Sequence, residues 1–308
     1  MSKSDNTEDE LSPDEIAEFK DYDLDDQVEI LIHIIDGKSF KNLIDAVKQM
    51  GKTGIFTFKP ESFDYSCYNS EFNSLVEFTI IKSMLNKINE CEYRFVSNLE
   101  EYTIELPIDL LKNALSQINI KDGITIFKPK TDNIIYIKKY SKIEEKDTAF
   151  SALHIPKMRD INITKSPEYS LKESNPTIST TLDSFKFKID PIIKSKHSSV
   201  LLSATHEKIC ITGSTVEGAL LSTVSITDLS PKISISGLSS LGIRPTFVPT
   251  IEKEATLVQP ILKLFKKMSN FSGDNKINFY IEAGNPIKIM STIKNFGFIK
   301  VYIICEKE

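Results

Sequence analysis

Lysines recur on segments of this chain whose apolar residues have helical spacing. The first such segment, GKSFKNLIDAVKQMG, begins at Gly37 and places Lys41 and Lys48 seven residues apart on one face. Three later segments, PIDLLKNALSQIN, LDSFKFKIDPIIK and ATLVQPILKLFKKMSN, combine an apolar face with lysines in the same way. A lysine ammonium is a point charge that suits phosphate oxygens, so these faces favour contact with a nucleic-acid backbone over reading of bases. The candidate lysines are Lys38, Lys41, Lys48, Lys112, Lys188, Lys194, Lys263 and Lys267.

Each lysine-bearing side of a helix has a simpler explanation, which is that it is the solvated side of an amphipathic helix. Backbone binding gains weight because four helices at equivalent places in two halves of the chain share the pattern. Such binding would be independent of sequence and strongly dependent on salt.

Motifs for catalysis or metal binding are missing from the sequence. There is no paired-carboxylate motif, glycine-rich phosphate loop, nucleophile elbow or metal-ligand spacing, and the GSTVEG cluster lacks the Lys-Ser/Thr of a phosphate loop. The four cysteines and four histidines are scattered, so reduced core thiols are expected. We therefore predict no catalytic residue, metal or cofactor. An enzyme with a scattered active site is kept as an alternative hypothesis.

Composition predicts a folded protein with an acidic appendage. The 308 residues are 40% hydrophobic, enough for two domains, and no apolar run approaches the about 18 residues that span a bilayer. Residues 1–26 hold eleven acids and two lysines, so the net charge of −5 becomes +4 without them. We expect a disordered acidic tail, and a soluble intracellular protein because the N-terminus lacks the basic character of a signal sequence.

The order of predicted elements repeats once along the chain. Each half begins with a strand and a helix, continues through several strands, and ends with a second helix followed by a strand hairpin. A repeat of this length indicates a duplicated domain of α+β class, with two helices against antiparallel sheets in each copy. The predicted units are a tail (1–26), domain 1 (27–142), an interdomain connector with a polar insertion (143–176) and domain 2 (177–308).

Several short stretches, in order, resemble the sliding clamps of DNA replication of the proliferating cell nuclear antigen type. GKSFKNLIDAVKQ resembles the first inner helix of that family, SLVEFTI the strand that follows, and ALHIP the end of the connector loop. TGSTVEGALLS and NPIKIMSTIKNFGFIKVYI are more specific, because they match a glycine-marked strand pair and the terminal hairpin. The resemblance covers nearly all of positions 28–304.

The resemblance implies a ring, formed as a trimer of this chain, that encircles duplex DNA and tethers a polymerase and other proteins through short peptides. A clamp loader would open this ring. The peptides would dock in an apolar pocket under the connector, and the matching residues are Tyr68, Leu153, Ile155, Pro156, Pro286 and Tyr302. Ring closure would use edge strands at about 133–141 and 217–226, with interface residues Ile135, Tyr136, Ile137, Ala219, Leu220 and Leu221. No membrane partner is implied, and the location would be the nucleus, or a cytoplasmic replication site if the source is viral.

The chain departs from the family pattern at several places. His154 replaces a connector glycine, about 20 extra polar residues follow at 157–176, and Pro191 predicts a third helix of only a turn or two. Richness in Ile, Asn and Lys suits an AT-rich genome, such as that of a large DNA virus or a parasitic eukaryote. Alternatives with the same fold are a subunit of a heteromeric checkpoint clamp and a clamp-like viral transcription factor that never closes a homomeric ring.

Overall fold

The computed structural model describes residues 27–69, 71, 73–131, 133–141, 143, 146–154, 176–194, 199–205, 208–214, 220–227 and 252–305. Strands dominate these ranges. In chain order they are β1 (Val28–Ile34), β2 (Thr53–Phe58), β3 (Ser62–Asn69), β4 (Ser74–Ile81), β5 (Glu92–Phe95), β6 (Tyr102–Pro107), β7 (Asp122–Pro129), β8 (Ile134–Ser141), β9 (Lys146–His154), β10 (Ile178–Thr181), β11 (Ser199–Ala204), β12 (Lys208–Ser214), β13 (Leu220–Thr227), β14 (Lys253–Leu257), β15 (Lys276–Tyr280), β16 (Ile287–Ile293) and β17 (Gly297–Ile303). The helices are α1 (Gly37–Val47), α2 (Lys82–Leu85), α3 (Ile108–Ala114), α4 (Leu182–Lys194) and α5 (Gln259–Met268).

The strands form three antiparallel sheets, which confirms the predicted α+β class. A five-stranded sheet has the order β5-β1-β7-β8-β9, and a four-stranded sheet has the order β13-β12-β11-β14. The largest sheet has eight strands in the order β10-β15-β16-β17-β4-β3-β2-β6. The predicted division of the chain at 143–176 stays a prediction.

The eight-stranded sheet unites the two halves of the chain. The last strand, β17, pairs with β4, and Ile299 and Val301 lie opposite Phe78 and Val76. These side chains are buried, because they face the apolar core. Strands on either side of the pair come from different halves, so the β17–β4 pair fixes the position of one half against the other.

Four helices pack in a row over the buried sheet faces. The helix α1 packs beside α3 and α5, and α5 packs beside α4, which gives the order α3-α1-α5-α4. One continuous core includes the buried faces of all four and side chains from all three sheets. The predicted apolar face of α1, with Phe40, Leu43, Ile44 and Val47, is fully buried. Asp36 caps this helix by accepting a hydrogen bond from the Ser39 backbone N–H at 3.0 Å.

The prediction of a short third helix was wrong. The helix α4 has thirteen residues and includes Pro191, because Ile189 and Ile192 on both sides of the proline are buried and hold the helix against the core. Their burial offsets the roughly 3 kcal/mol that an internal proline costs. The strand β9 lies within the segment interpreted as a connector, and it pairs along the whole of β8.

The β17–β4 pair also contains a close approach that a substitution can test. A Cβ atom at Gly297 would overlap the carbonyl oxygen of Thr79 on β4, whereas Gly284 has a φ of +72° and open space around it. We expect Gly297→Ala to lower the free energy of unfolding by about 3 kcal/mol through overpacking, and Gly284→Ala by about 1 kcal/mol through backbone strain. Urea denaturation measures both, and a Gly297→Ala cost no larger than that of Gly284→Ala would contradict the close approach.

Candidate functional site

The predicted lysines of three neighbouring helices meet around one carboxylate, that of Asp45. The Lys267 ammonium on α5 donates to the Asp45 carbonyl oxygen on α1 at 2.8 Å. Burial lowers the pKa of Lys267, and the charges of Lys112, Lys263 and Lys48 lower it further, while Asp45 opposes them. Lys48, Lys112, Lys263 and Lys267 therefore lie close enough together to share one electrostatic environment. We call this group of side chains the lysine face.

Carboxylates on the same helices hold part of the lysine face in place. Lys48 on α1 pairs with Asp109 on α3, and Lys112 on α3 lies 3.9 Å from Asp45 on α1. Lys41 donates to the Ser116 carbonyl oxygen at 2.6 Å, just beyond the end of α3. Exposed pairs of this kind contribute less than about 1 kcal/mol each. They orient the ammonium groups without removing them from solvent.

Lysines of the second half form a smaller set between α4 and α5. Asp190 accepts from Lys266 at 2.6 Å and lies 3.6 Å from Lys194, so it bridges the two helices. The hydrogen bond from Lys266 is the main reason that the pKa of Asp190 is lowered. Lys188 donates to the Ser225 carbonyl oxygen on β13 at 2.9 Å. The role of Lys266 in joining the helices was not evident from its spacing.

Lys38 lies far from Lys48, although it is only about one helical turn from Lys41. It is close to the N-terminal end of the helix, ten residues before Lys48 and so about 15 Å from it along the axis. There it lines an open groove with Asp36, Asn42 and Lys294. The structure therefore joins most of the predicted lysines and separates Lys38 from Lys48.

A second candidate site lies on the face of the eight-stranded sheet that points away from the helices. Directly opposed residues of neighbouring antiparallel strands share a face. The pairing registers place one such row across five strands, and we call it the outer row. Its members are Tyr68 on β3, Leu75 on β4, Tyr302 on β17, Lys288 on β16 and Tyr280 on β15.

Tyr302 is the centre of the outer row. Its side chain is only 6% exposed, although it faces away from the main core. Its hydroxyl is hydrogen-bonded to Glu77, and burial together with the Glu77 charge raises the pKa of Tyr302. Burial also raises the pKa of Glu77, while Lys300 and the Tyr302 hydroxyl act in the opposite direction. The row therefore combines aromatic surface with a partly desolvated carboxylate.

Lys288 is the functional candidate that the sequence did not reveal. It is only 8% exposed, and its ammonium lies 3.9 Å from the centre of the Tyr280 ring. Burial lowers the pKa of Lys288, and Lys300 lowers it further, while Glu282 opposes both. Among the residues that the structure describes, no carboxylate forms an ion pair with Lys288. Strand alternation placed it on the same face as Met290, but gave no reason to assign it a role.

The structure distributes the predicted pocket residues over different places. Tyr68 and Tyr302 lie in the outer row, and Pro286 is buried directly before β16 begins. Leu153 lies on β9 in the five-stranded sheet, opposite Ile135, and packs into the main core. Its place in the pocket stays a prediction. Residues 155 and 156, predicted as Ile155 and Pro156 of the pocket, lie outside the described residues.

The predicted first ring-closing edge is not an edge. Because β9 pairs with one side of β8 and β7 with the other, the segment 133–141 has no exposed ladder, and that expectation was wrong. Ile135 and Ile137 are buried in the main core, and the Tyr136 ring stacks on Phe127 at 5.2 Å. The second predicted edge overlaps β13, which is the last of the described strands in its sheet, and its role in ring closure stays a prediction. Leu220 and Leu221 begin β13, and Ala219 lies outside the described residues.

The described ranges lack the features of a metal site and of a membrane span. They contain no group of three or more His, Cys, Asp or Glu residues placed to hold a metal ion. None of their helices has the length and apolar character of a membrane span.

The raised pKa of Glu77 predicts a dependence of stability on pH. The folded protein binds this proton more tightly than the unfolded chain, so the stabilisation is present below the ordinary pKa and is lost as pH rises through the folded-state value. We expect Glu77→Gln to stabilise the protein more at about pH 7 than at about pH 4 relative to the natural chain. Lys300→Met should increase the loss of stability with pH in the chain that keeps Glu77. Urea midpoints at the two pH values measure this, and an equal effect of Glu77→Gln at both would contradict it.

Comparison with known proteins identifies the fold. No protein-family model matches the chain, and no curated protein sequence matches it. Among solved structures, it is similar to the proliferating cellular nuclear antigen from Entamoeba histolytica, with a TM-score of 0.63 and 11% sequence identity over 91% of this chain and 99% of that chain. The chain therefore has the fold of the proliferating cell nuclear antigen, as the short sequence resemblances predicted.

Proposed function

We propose that this chain is a sliding clamp: a closed ring, trimeric in our proposal, that encircles duplex DNA without sequence specificity and holds a polymerase and other replication proteins on it. The observation that supports this most is the lysine face, because the packing of α3, α1 and α5 side by side places Lys48, Lys112 and Lys263 close enough for their charges to act on Lys267. A clamp loader would open the ring, and the site of action would be the nucleus or, for a viral protein, a cytoplasmic replication site. The role needs no catalysis and no cofactor.

The lysine face suits loose contact with DNA. Its ammonium groups can each reach a phosphate as point charges, without reading bases. Asp45 and Asp109 compete with DNA for the Lys112 and Lys48 ammonium groups. Each phosphate contact therefore replaces an internal ion pair and gains little free energy. Weak contacts permit sliding, and the closed ring supplies retention.

The proposal predicts retention on DNA that depends on the ends of the duplex. The protein is incubated with a linear duplex that is tethered to a bead at one end. The free end is then either capped with a bulky protein or left open. Both samples are washed at about 1 M salt, because phosphate contacts are largely screened there. We expect protein on the capped DNA and none on the open DNA, and cutting the capped duplex should release it. Equal retention on both would contradict a ring.

A charge reversal tests the lysine face itself. Lys263 is exposed on α5, and Lys263→Glu should weaken binding at low salt and reduce the salt slope by about 1. The matched control is Lys208→Glu on β12, because Lys208 is exposed and lies on the opposite face to the buried Ile209. Both changes should alter the free energy of unfolding by no more than about 0.5 kcal/mol. Equal loss of binding in the two variants would show that DNA does not meet the helices.

We propose that the outer row receives the peptides of partner proteins. Tyr68 and Tyr302 supply aromatic surface, and Lys288 supplies a cation with no ion-pair partner among the described carboxylates. A peptide with an apolar anchor and an adjacent carboxylate would satisfy both. The polymerase and the other partners would then be recognised by an acidic residue as well as by an apolar one.

Two synthetic peptides can test this recognition. They share an aromatic anchor and differ only in a glutamate or a glutamine beside it. We expect the glutamate peptide to bind about tenfold more tightly, since a charge-assisted pair is worth about 1.5–3 kcal/mol before its desolvation cost. Lys288→Met should abolish the difference, whereas Lys208→Met should preserve it. Fluorescence anisotropy measures the six affinities of the two peptides for the natural chain and the two variants, and a preference that survives Lys288→Met would exclude this role for Lys288.

The alternative with the same fold is a chain that closes no ring with itself, as in a heteromeric checkpoint clamp or a clamp-like viral transcription factor. One observation favours it, namely that β9 covers the edge of β8. The mass of the purified chain in solution separates the two candidates, because a persistent monomer supports the alternative.

A further inference from the structure

The most exposed large apolar side chain among the described residues is Phe187 on α4. It is 81% exposed, whereas Phe185 and Ile189 on the same helix are fully buried. Residues two positions apart lie about 200° apart around a helix axis, so Phe187 points away from the core that Phe185 and Ile189 enter. The buried faces of α3, α1, α5 and α4 share that core. The Phe187 ring therefore projects from the outward side of the helix row, which is the side of the lysine face.

The internal repeat shows that this exposed aromatic residue occurs in only one of the two halves. The segment SFKNLID of α1 and the segment SFKFKID of α4 align without a gap, and the alignment matches Asn42 with Phe187. Asn42 has a role within the protein, since its side-chain amide donates to the Asn270 carbonyl oxygen at 3.2 Å. Phe187 leaves most of its surface in solvent, so packing does not account for an aromatic residue at this position.

Lysines flank Phe187 along α4. Lys186 and Lys188 are its neighbours in the chain, and Lys194 lies seven residues further on, which is two turns along the same stripe of the helix. The Lys194 side chain is 74% exposed, although its ammonium lies 3.6 Å from the Asp190 carboxylate. The Phe187 ring therefore stands between cations that a polyanion can reach.

Both carboxylates of α4 are already engaged by other parts of the protein. Asp183 accepts a hydrogen bond from the Asn275 side-chain amide at 2.8 Å, and Asp190 accepts one from Lys266 at 2.6 Å. Lys266 of α5 is a fourth lysine beside the three of α4, so four lysines stand against two carboxylates at this surface. A polyanion is attracted to such a surface, whereas the same surface of a second copy would bring like charges together.

An exposed aromatic ring among lysines is suited to single-stranded DNA. In a duplex the bases stack on one another and offer only their edges to a protein, whereas an unpaired base offers its flat face to an aromatic ring. We propose that α4 binds single-stranded DNA, with Phe187 stacked on an unpaired base and Lys186 and Lys194 in contact with the phosphates beside it. The inference rests on the proposed function, because that function brings DNA to the helices.

The natural chain has no tryptophan, which permits a direct test of stacking. Phe187→Trp keeps an aromatic ring at the site, and a base that stacks on the indole quenches its fluorescence. We expect saturable quenching by a single-stranded oligothymidine and none by a blunt duplex of the same length. The control is Leu201→Trp, which should not respond, because Leu201 is exposed on β11 between the buried Val200 and Leu202 and so faces away from the core. Equal quenching of Phe187→Trp by both DNAs, or quenching by neither, would overturn the proposal.

Affinities of further variants separate stacking from general apolar contact. Phe187→Ala and Phe187→Leu should each weaken binding of labelled oligothymidine about tenfold, and Phe187→Tyr should retain it, because only tyrosine keeps the ring. Duplex affinity should change by less than about twofold, since paired bases offer no free face to the ring. Fluorescence anisotropy at low salt measures these affinities, and unchanged urea midpoints would show that the variants fold. Full binding by Phe187→Leu, or an equal loss of duplex binding, would overturn the stacking role.

The outcomes separate this inference from the proposed function. A natural chain that binds the duplex but not oligothymidine would overturn the inference and leave the clamp proposal intact. A natural chain that binds neither DNA at low salt would overturn both. Lys263→Glu should weaken binding of both DNAs, because it changes only charge. A loss in Phe187→Ala that is confined to oligothymidine therefore supports stacking and cannot be a general loss of attraction.

Discussion

The pairing of β17 with β4 is the interaction on which the rest of the structure depends. It joins the two halves of the chain in one eight-stranded sheet. On the buried side of that sheet, α1 from the first half and α5 from the second pack side by side, and this brings Lys267 to Asp45. On the other side, Tyr302 of β17 lies directly opposite Leu75 of β4. Both candidate sites therefore cross the same junction, and neither exists within one half alone.

The lysine face and the outer row solve different physical problems. The first must attract a polyanion without holding it tightly, and internal carboxylates such as Asp45 and Asp190 reduce the gain of each phosphate contact. The second must hold a peptide, and a largely buried cation such as Lys288 gains most when a carboxylate replaces its lost hydration. In the proposed function, the same residue type thus serves loose binding where it is exposed and selective binding where it is buried.

Periodicity predicted what depends on local sequence. The apolar face of α1 and the terminal hairpin of β16 and β17 have the predicted alternation and are confirmed. The errors concern interactions that spacing does not encode. The helix α4 continues through Pro191, because packing against residues distant in sequence outweighs the local cost of the proline. The strand β9 begins with charged residues in the segment interpreted as a connector, and its pairing with β8 does not follow from its own spacing. The role of Lys288 depends on Tyr280, a partner on another strand, so no spacing rule could have revealed it.

The central claim is that duplex DNA meets the helices and that the sheets face outward. Electron cryo-microscopy of the full chain on an end-capped duplex tests it most directly, because it shows both the closure of the assembly and the face that meets DNA. The account predicts a closed ring with the duplex passing through it beside α1, α3 and α5. Duplex density against the sheet that bears Tyr302, or an assembly that leaves the DNA unenclosed, would contradict it.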